Sequence, residues 1–507
     1  MGRQSIGHCA EATGGTEASE LRAFFATGAT RSIEWRRSQL QGIKSMILEN
    51  IEAWSLACQK SGKPAFEAEM AEVLPLKLDV AATLKNFVSW GAVQHAPTPL
   101  ALMPASSYVE KLPLGATLII GPFNYPLSLT IGPLMGAFAA GCPAVVKPPE
   151  ACPDVCQLMA ELMPKYLDPR GYRLVLGGVE VSEALLAQRW DNILFTGSAR
   201  VGKKVAAAAA VHLTPLTLEL GGKSPVILDK SAGDLGVVAD KLVWGRFVNA
   251  GQTCVAPEYV LAPLDMVDDL CKALAKAIET TYGKDPRRST SYARMISPEA
   301  VQRVRGLLVG HGGTIVCGGE ADHEEKYVSP TVIKNPTPDC ALMQDEVFGP
   351  VLCVIGVASL HEAIAFASSR PTPLALYVFS NDKAATTRVL AECRSGGAMV
   401  NDVVIHFASP HVPFGGLGES GNGRMHGRWY FEACSAQRGV ITKGTDIFTR
   451  LLDVEAVCRR APYAEWKLTL VHMLAKDWIP ALPPRYGYLS LLIALIVPVF
   501  FFFGRLQ

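Results

Sequence analysis

The chain has 507 residues, 49% of them apolar and 19% charged, with 48 lysines and arginines against 47 acidic residues. A chain this long and this apolar buries a large core across about three domains, which excludes a disordered protein, a disulfide miniprotein and a fibrous repeat. A formal charge of +1 supplies no field for a polyanion, so no nucleic-acid partner is expected.

Residues 1–20 are polar and small and lack the apolar stretch of a signal peptide. Met1-Gly2 would suit myristoylation, but Ile6 stands where a hydroxyl residue is wanted. The first hundred residues carry helical periodicity without a strong motif. From Ala116 a different rhythm begins. Apolar runs at 116–121 (ATLIIG), 144–147 (AVVK), 173–176 (RLVL) and 192–197 (NILFTG) read as strands. Helix-like stretches separate them: PLSLTIGPLMGAFAA, DVCQLMAELMPKYL and Ser182–Gln188. Strand and helix alternating about every 25 residues predict a doubly wound parallel sheet, a fold that takes ligands at the carboxyl ends of its strands. A second α/β block runs from Thr217 to about Arg394, with strands at 225–228 and 375–380, and a glycine-rich segment follows at 413–423.

Near the C-terminus, Asp446 to Tyr486 is a basic connector carrying Trp466 and Trp478. It reads either as a cover for a pocket mouth or headgroups, or as a solvated linker. From Gly487 to Gly504 there is no charge. Eighteen helical residues rise about 27 Å, enough for a thin bilayer such as that of the endoplasmic reticulum. The run holds twelve Leu, Ile, Val or Phe side chains, together favouring insertion by about 4–7 kcal/mol. Pro498 kinks such a helix without forbidding it. Residues 486–504 are thus expected to anchor the chain to a membrane, with the body in the cytosol; a buried core helix is the alternative. Thirteen cysteines at irregular spacing, with no CxxC, fit reduced thiols. His406 and His411 have finger-like spacing but no cysteine pair beside them, so no metal is expected.

Two glycine motifs compete for a dinucleotide. Gly416-x-Gly418-x-x-Gly421 matches the fingerprint but follows no βαβ strand, and reads as a loop. In Asn192–Gly202 (NILFTGSARVG) a strand ends at Thr196, Gly197 permits a tight turn, and a helix begins near Val201. Free N–H groups at such a helix start suit a pyrophosphate; an ordinary βα turn is the alternative. The Walker-like Gly197-x4-Gly202-Lys203 has Lys204 where magnesium wants a hydroxyl, against a nucleoside triphosphatase. Cys254, in NAGQTCVAP, reads as an exposed-turn nucleophile or as one more small buried apolar residue. Glu219, in LTLELGGKSP, ends an apolar strand and reads as a general base of raised pKa or as a satisfied structural carboxylate.

Taken in order, FNYP (123–126), KPPE (147–150), FTGS (195–198), LELGGKSP (218–225), GQTC (251–254), EVFGP (346–350) and PFGG (413–416) resemble the aldehyde dehydrogenases over about residues 20–440. TLELGGKSP, GQTCVAPEYVL, PLALYVFS, SGGAMVNDVVIHF and FGGLGESGNGRMHG look most like the class 3, fatty aldehyde branch with its membrane anchor. The resemblance implies an α/β aldehyde dehydrogenase fold. Its parts would be a Rossmann-like NAD-binding domain at 1–217, with part of an oligomerisation arm near 96–115, and a catalytic domain at 218–394. A bridging segment at 395–440, a connector at 441–485 and the anchor at 486–504 would follow. It implies that Cys254 attacks the aldehyde, that Asn124 and the Cys254 N–H hold the oxyanion, and that Glu219 activates water. Lys147 and Glu150 would contact the adenosine ribose. Gly197, Ser198, Ala199, Arg200, Val201 and Gly202 would line the pyrophosphate, and Glu346, with Phe348 beside it, would hold the nicotinamide ribose.

Glu150 would repel a 2′-phosphate, so NAD is expected over NADP, with NADP accepted. The substrate is expected to be a long-chain or polyene aldehyde, and the enzyme a homodimer. Three positions depart from the branch: Phe123 for Trp, Pro149 for Ser and Met425 for Tyr. The first is expected to reshape the aldehyde pocket or its wall. A CoA-acylating dehydrogenase is disfavoured by Glu219, which such enzymes generally lack. A non-catalytic membrane-tethered scaffold is disfavoured because Cys254, Asn124 and Glu346 all remain.

Overall fold

The computed structural model describes residues 16–475. The expected anchor at 486–504 lies outside the described residues, and among those described no helix is long and apolar enough to cross a membrane. The chain groups into two units: residues up to Phe87 with Pro113–Cys434, and Val88–Leu112 with residues from Ser435 on.

The larger unit holds both large sheets. The first is built from β1 (Thr117–Ile120), β2 (Ala144–Lys147), β3 (Tyr172–Leu174), β4 (Asn192–Thr196) and β5 (Leu216–Glu219). The second takes β6 (Pro225–Leu228), β7 (Tyr259–Pro263), β8 (Thr314–Cys317), β9 (Thr331–Lys334), β10 (Val351–Val357), β11 (Ala375–Phe379) and β12 (Gly397–Val400). The chain then returns to the first sheet with β13 (Gly421–Asn422). The strand orders are β13-β5-β4-β1-β2-β3 and β8-β9-β10-β7-β6-β11-β12. Only the edge strands β13 and β8 pair antiparallel within these sheets.

The sequence reasons are local. Every residue of β1, β2 and β6 is buried, as expected of parallel strands covered on both faces by helices. The helix Ser128–Ala140 is apolar nearly all round and buried from Thr130 onward. The N-terminal helix Ile33–Leu48 packs against it and against Pro153–Tyr166, and Ile51–Lys60 packs against Pro153–Tyr166. β5 belongs to the first sheet, so that sheet ends at Glu219 and the second begins at Pro225. In the expected bridging segment, β12 joins the second sheet and β13 the first. The smaller unit has its own three-stranded sheet, ordered Gln94–Ala96, Ser106–Pro113, Ser435–Thr442.

Candidate active site

Register in the first sheet collects the expected site at one edge. Ile120 pairs with both Lys147 and Phe195, and Thr196 pairs with Glu219. The carboxyl ends of β1, β2, β4 and β5 therefore lie side by side, with the order reversing between β1 and β4. That reversal is where doubly wound sheets bind dinucleotides.

On the cofactor side, the helix after β4 runs Ala199–Val211, and the Ser198 hydroxyl caps it by accepting from the Val201 N–H at 3.4 Å. It begins two residues ahead of the expected start near Val201, because a serine cap takes precedence over the first apolar residue of the helix. Ser198, Ala199 and Arg200 are exposed at this end, leaving first-turn N–H groups open to an anion. Space is reserved here by glycine. A Cβ on Gly197 would lie 2.6 Å from the Phe195 ring, and one on Gly202 would lie 2.7 Å from Leu220. Lys147 is buried, and its ammonium donates to Glu150 at 2.7 Å. Partial burial works against ionisation of Glu150, but the Lys147 hydrogen bond, its own backbone N–H and the Lys147 charge together hold the carboxyl below its ordinary range. These residues fit a dinucleotide.

Glu346 sits against the two glycines of LELGG. A Cβ on Gly221 would overlap its carboxylate, and the Gly222 N–H bonds to it. Burial, with the nearby charge of Glu258, raises Glu346 to about 8. Phe348, in a left-handed conformation, meets the Phe123 ring edge-on at 5.7 Å. Phe123 thus packs on a residue of the expected cofactor side.

Cys254 leaves a turn in which Asn249 and Ala250, both non-glycine, adopt left-handed dihedrals (φ 54° and 51°). That conformation costs of order 1–2 kcal/mol per residue and persists only where the surroundings enforce it. Several contacts do so. Asn249 Nδ2 donates to the Asn124 and Gln252 carbonyls at 3.0 and 3.2 Å. The Gln252 amide donates to the Asn249 and Arg294 carbonyls at 2.9 and 3.1 Å and accepts from the Ile296 N–H at 2.9 Å. The Tyr125 and Thr253 hydroxyls meet at 2.6 Å. A Cβ on Gly251 would overlap the Gly349 carbonyl, which Arg246 also holds. Behind the turn, Glu258 takes hydrogen bonds from Arg246 at 2.7 Å, Lys223 at 2.9 Å and the Val347 N–H at 3.0 Å. Although burial opposes it, Arg246 and Lys223 bring this carboxyl down to about 2. The network ties GQTC, GGKSP and EVFGP into one block. Sequence reading missed Arg246, Glu258, Asn249 and Gln252, which carry no reactive-group signature.

A narrow, largely apolar cavity brings Cys254 and Glu219 together. It is also lined by Tyr125, Thr253, Phe407, Phe414, Met425 and His426. The N-terminal helices supply Ala71, Pro75, Leu76 and Asp79, next to a π-helical turn at Glu69–Val73. No motif in the first hundred residues points to that contribution. Of the three departures noted above, Met425 is the one in the lining. Asn124 is buried at the rim of the Cys254 turn, through its carbonyl. Glu219 is buried, and neither of its carboxyl oxygens has a hydrogen-bond partner among the described residues. Burial drives it well above the ordinary carboxylate range, against a weaker pull from Arg424. Burial, then Glu346 and Glu219, likewise push the Cys254 thiol up. The glycine-rich loop at 413–423 closes over this carboxyl. Its Gly421 pairs with Glu219 across β13 and β5, and a Cβ on Gly415 would lie 2.8 Å from Glu219 Oε1.

Comparison with known proteins matches residues 16–440 to the model of the aldehyde dehydrogenase family. The chain is 43% identical over 424 residues to human aldehyde dehydrogenase family 3 member B1, covering 83% of this chain and 90% of that one. It is 40% identical over 452 residues to the rat "aldehyde dehydrogenase, dimeric NADP-preferring" (88% and 97%). It is also 40% identical over 430 residues to the 4,4'-diaponeurosporen-aldehyde dehydrogenase of Staphylococcus aureus (84% and 93%). A substrate-bound structure of Staphylococcus aureus AldH superposes with a TM-score of 0.86 at 38% identity, covering 90% of this chain and 98% of that one.

Proposed function

The chain belongs to the aldehyde dehydrogenase family, among relatives of its family 3, and from that premise we propose that it oxidises long-chain aldehydes to carboxylic acids through Cys254 and Glu219. It is an NAD(P)-dependent aldehyde oxidoreductase. The observation that carries the specific reading is the apolar cavity in which Cys254 meets a buried carboxyl with both oxygens unpartnered. A carboxyl so placed is free to take a proton from a water molecule.

In this reading the Cys254 thiol gives up its proton to solvent as Sγ adds to the aldehyde carbon, the C=O π bond opens, and the resulting oxyanion rests on the Asn124 side chain and the Cys254 N–H. Bound NAD(P)+ supplies the hydride acceptor. Lys147 and Glu150 would contact its adenosine ribose, the 197–202 turn its pyrophosphate, and Glu346 with Phe348 its nicotinamide end. Glu219, once it has released its own proton to solvent, then takes a proton from water, whose oxygen attacks the acyl carbon of the thioester. The C–S bond breaks, the acid leaves, and the thiol is restored. Burial keeps protons on Glu346 and Glu219, which relieves the like-charge repulsion that disfavours a thiolate at Cys254.

The lining of Leu76, Leu129, Phe407, Phe414 and Met425 suits an alkyl chain better than a polar one. The relative named for 4,4'-diaponeurosporen-aldehyde supports a long polyene aldehyde as a second substrate class. We place 486–504 in a lipid bilayer, where long-chain aldehydes concentrate at about 0.8 kcal/mol per methylene; the endoplasmic reticulum membrane, with the body in the cytosol, fits its length. In the smaller unit, Ile447, Phe448, Leu451 and Trp466 are exposed apolar residues near Arg450 and Lys467, a composition that suits the same surface. A homodimer, formed by extending a sheet through an edge strand such as Ser435–Thr442, completes the proposal. The test is NADH formation with hexadecanal and with propanal in detergent, with Cys254→Ala as control. Faster turnover of hexadecanal that vanishes in the variant supports the reading. Undiminished turnover in Cys254→Ala removes it.

A further inference from the structure

Three charged residues ahead of the cavity have no part in the reaction above: Lys63, Glu67 and Glu72, all buried. Two of them are occupied with each other and with the helix behind the site. Glu72 Oε2 accepts from the Ser128 N–H at 2.9 Å, and its Oε1 faces the Lys63 ammonium at 3.3 Å. Lys63 also lies 5.4 Å over the Tyr125 ring. Glu67 instead reaches the Cys254 turn, where its Oε2 accepts from the backbone N–H of Asn249 at 2.8 Å.

We propose that Glu67 is a positioning residue for Cys254: by holding the Asn249 N–H it fixes the left-handed pair Asn249–Ala250, and the charge on its carboxyl sets how firmly that turn is held. The inference rests on the reading of Cys254 as the nucleophile. Asn249 is the pivot of the turn, because its side chain spans the Asn124 and Gln252 carbonyls. Its N–H goes to the Glu67 carboxylate, on the helix Ala65–Ala68. Without Glu67 a buried donor would be orphaned beside two strained residues. A second tie runs parallel: the Arg294 N–H donates to the Gly62 carbonyl at 2.9 Å, while the Arg294 carbonyl accepts from Gln252. The N-terminal helices thus grip the turn at both ends.

The charge of Glu67 is poised to change near neutrality. Burial raises it to about 7, opposed by the Asn249 N–H and by Lys63. The other groups facing it are the hydroxyls of Tyr125, Tyr282 and Tyr292, all themselves pushed up by burial and so uncharged in this range. Glu72 competes for Lys63. As pH rises through 7 the acceptor gains a full charge, and a charge-assisted hydrogen bond is about twice as strong as a neutral one. For a local opening that breaks the Asn249 bond and leaves Glu67 buried, the closed form ionises the more readily of the two, so the turn should tighten as pH rises through 7.

The test is amide hydrogen exchange over residues 247–254 of the ligand-free full-length protein between pH 6 and 8, corrected for intrinsic rates, alongside kcat/KM. Wild type is compared with Glu67→Gln, which keeps a neutral acceptor, and Glu67→Ala, which has none. We expect protection in the wild type to rise about tenfold across this range and to stay flat in the Gln variant. The kcat/KM ratio of Gln variant to wild type should be near one at pH 6 and fall about three- to tenfold by pH 8. The Ala variant should lose about tenfold in both readouts throughout. Superimposable exchange and kcat/KM profiles for wild type and the Gln variant would overturn the role of the charge. Wild-type protection in the Ala variant would overturn the positioning itself. Turnover by Cys254→Ala would remove the nucleophile reading instead, whatever the exchange shows.

Discussion

A carboxylate enclosed by apolar side chains with no hydrogen-bond donor is costly, and Glu219 answers that cost by keeping its proton. Its folded value lies above the unfolded one. Its contribution to stability is therefore complete below the unfolded value near 4.5 and is lost as pH rises through the folded value. Glu219→Gln, which never ionises, should match the wild type in thermal stability at pH 4 and exceed it at pH 9; equal melting temperatures at pH 9 would contradict the burial argument. At Glu150 the effect is one of selectivity. Its charge is shared with Lys147 at 2.7 Å and its side chain is 52% exposed, so the repulsion of a 2′-phosphate is screened. Glu150→Gln should improve kcat/KM for NADP by about fivefold or less, with little change for NAD. The motifs made Cys254 and Glu219 legible as separate candidates. That they share a cavity depends on two sheets brought together, which no local pattern contains.

Between elements, glycines and one buried ionic network set the alignment. Gly221 leaves room for the Glu346 carboxylate, so Gly221→Ala should displace Glu346 and raise KM for NAD by about tenfold or more. Gly306→Ala, on a helix where the new methyl meets nothing within 4 Å, should leave KM unchanged. Arg246 is fully buried against Glu258. Arg246→Met should destabilise by about 3–5 kcal/mol, because it leaves Glu258 charged and buried with Lys223 as its remaining cation. Glu258, depressed to about 2, contributes stability that is present above 4.5 and lost as pH falls towards 2. The Arg246→Met deficit, read from denaturant unfolding, should therefore shrink in acid. These elements show where sequence reading stops. Strands β1 to β4 follow from short apolar runs and lie within a residue or two of them, whereas β5, expected to open the second block, pairs in the first sheet. The 413–423 glycines match a fingerprint and read as a loop, and a loop they are, except that Gly421–Asn422 pair at the sheet edge with Glu219 and Leu218. That pairing joins residues some 200 positions apart and has no local signature. Arg246 looks in sequence like any basic residue on a helix.

At the scale of the whole molecule, catalysis and membrane attachment are proposed for different stretches of one chain. The apolar run at 486–504 favours insertion by about 4–7 kcal/mol, and an arginine at the centre of a span costs about 2.5–3.5 kcal/mol. Replacing both Leu492 and Ile496 by Arg in the full chain should therefore cancel insertion. The variant should float free of vesicles in flotation assays yet oxidise propanal at the wild-type rate in detergent. Retention on vesicles would contradict the assignment of that segment. If Cys254 forms the acyl bond and Glu219 breaks it, rapid mixing of Glu219→Gln with hexadecanal and NAD should give a burst of about one NADH per active site followed by a stall, with the acyl group recovered on Cys254 by mass spectrometry. A burst-free steady rate equal to the wild type would contradict it.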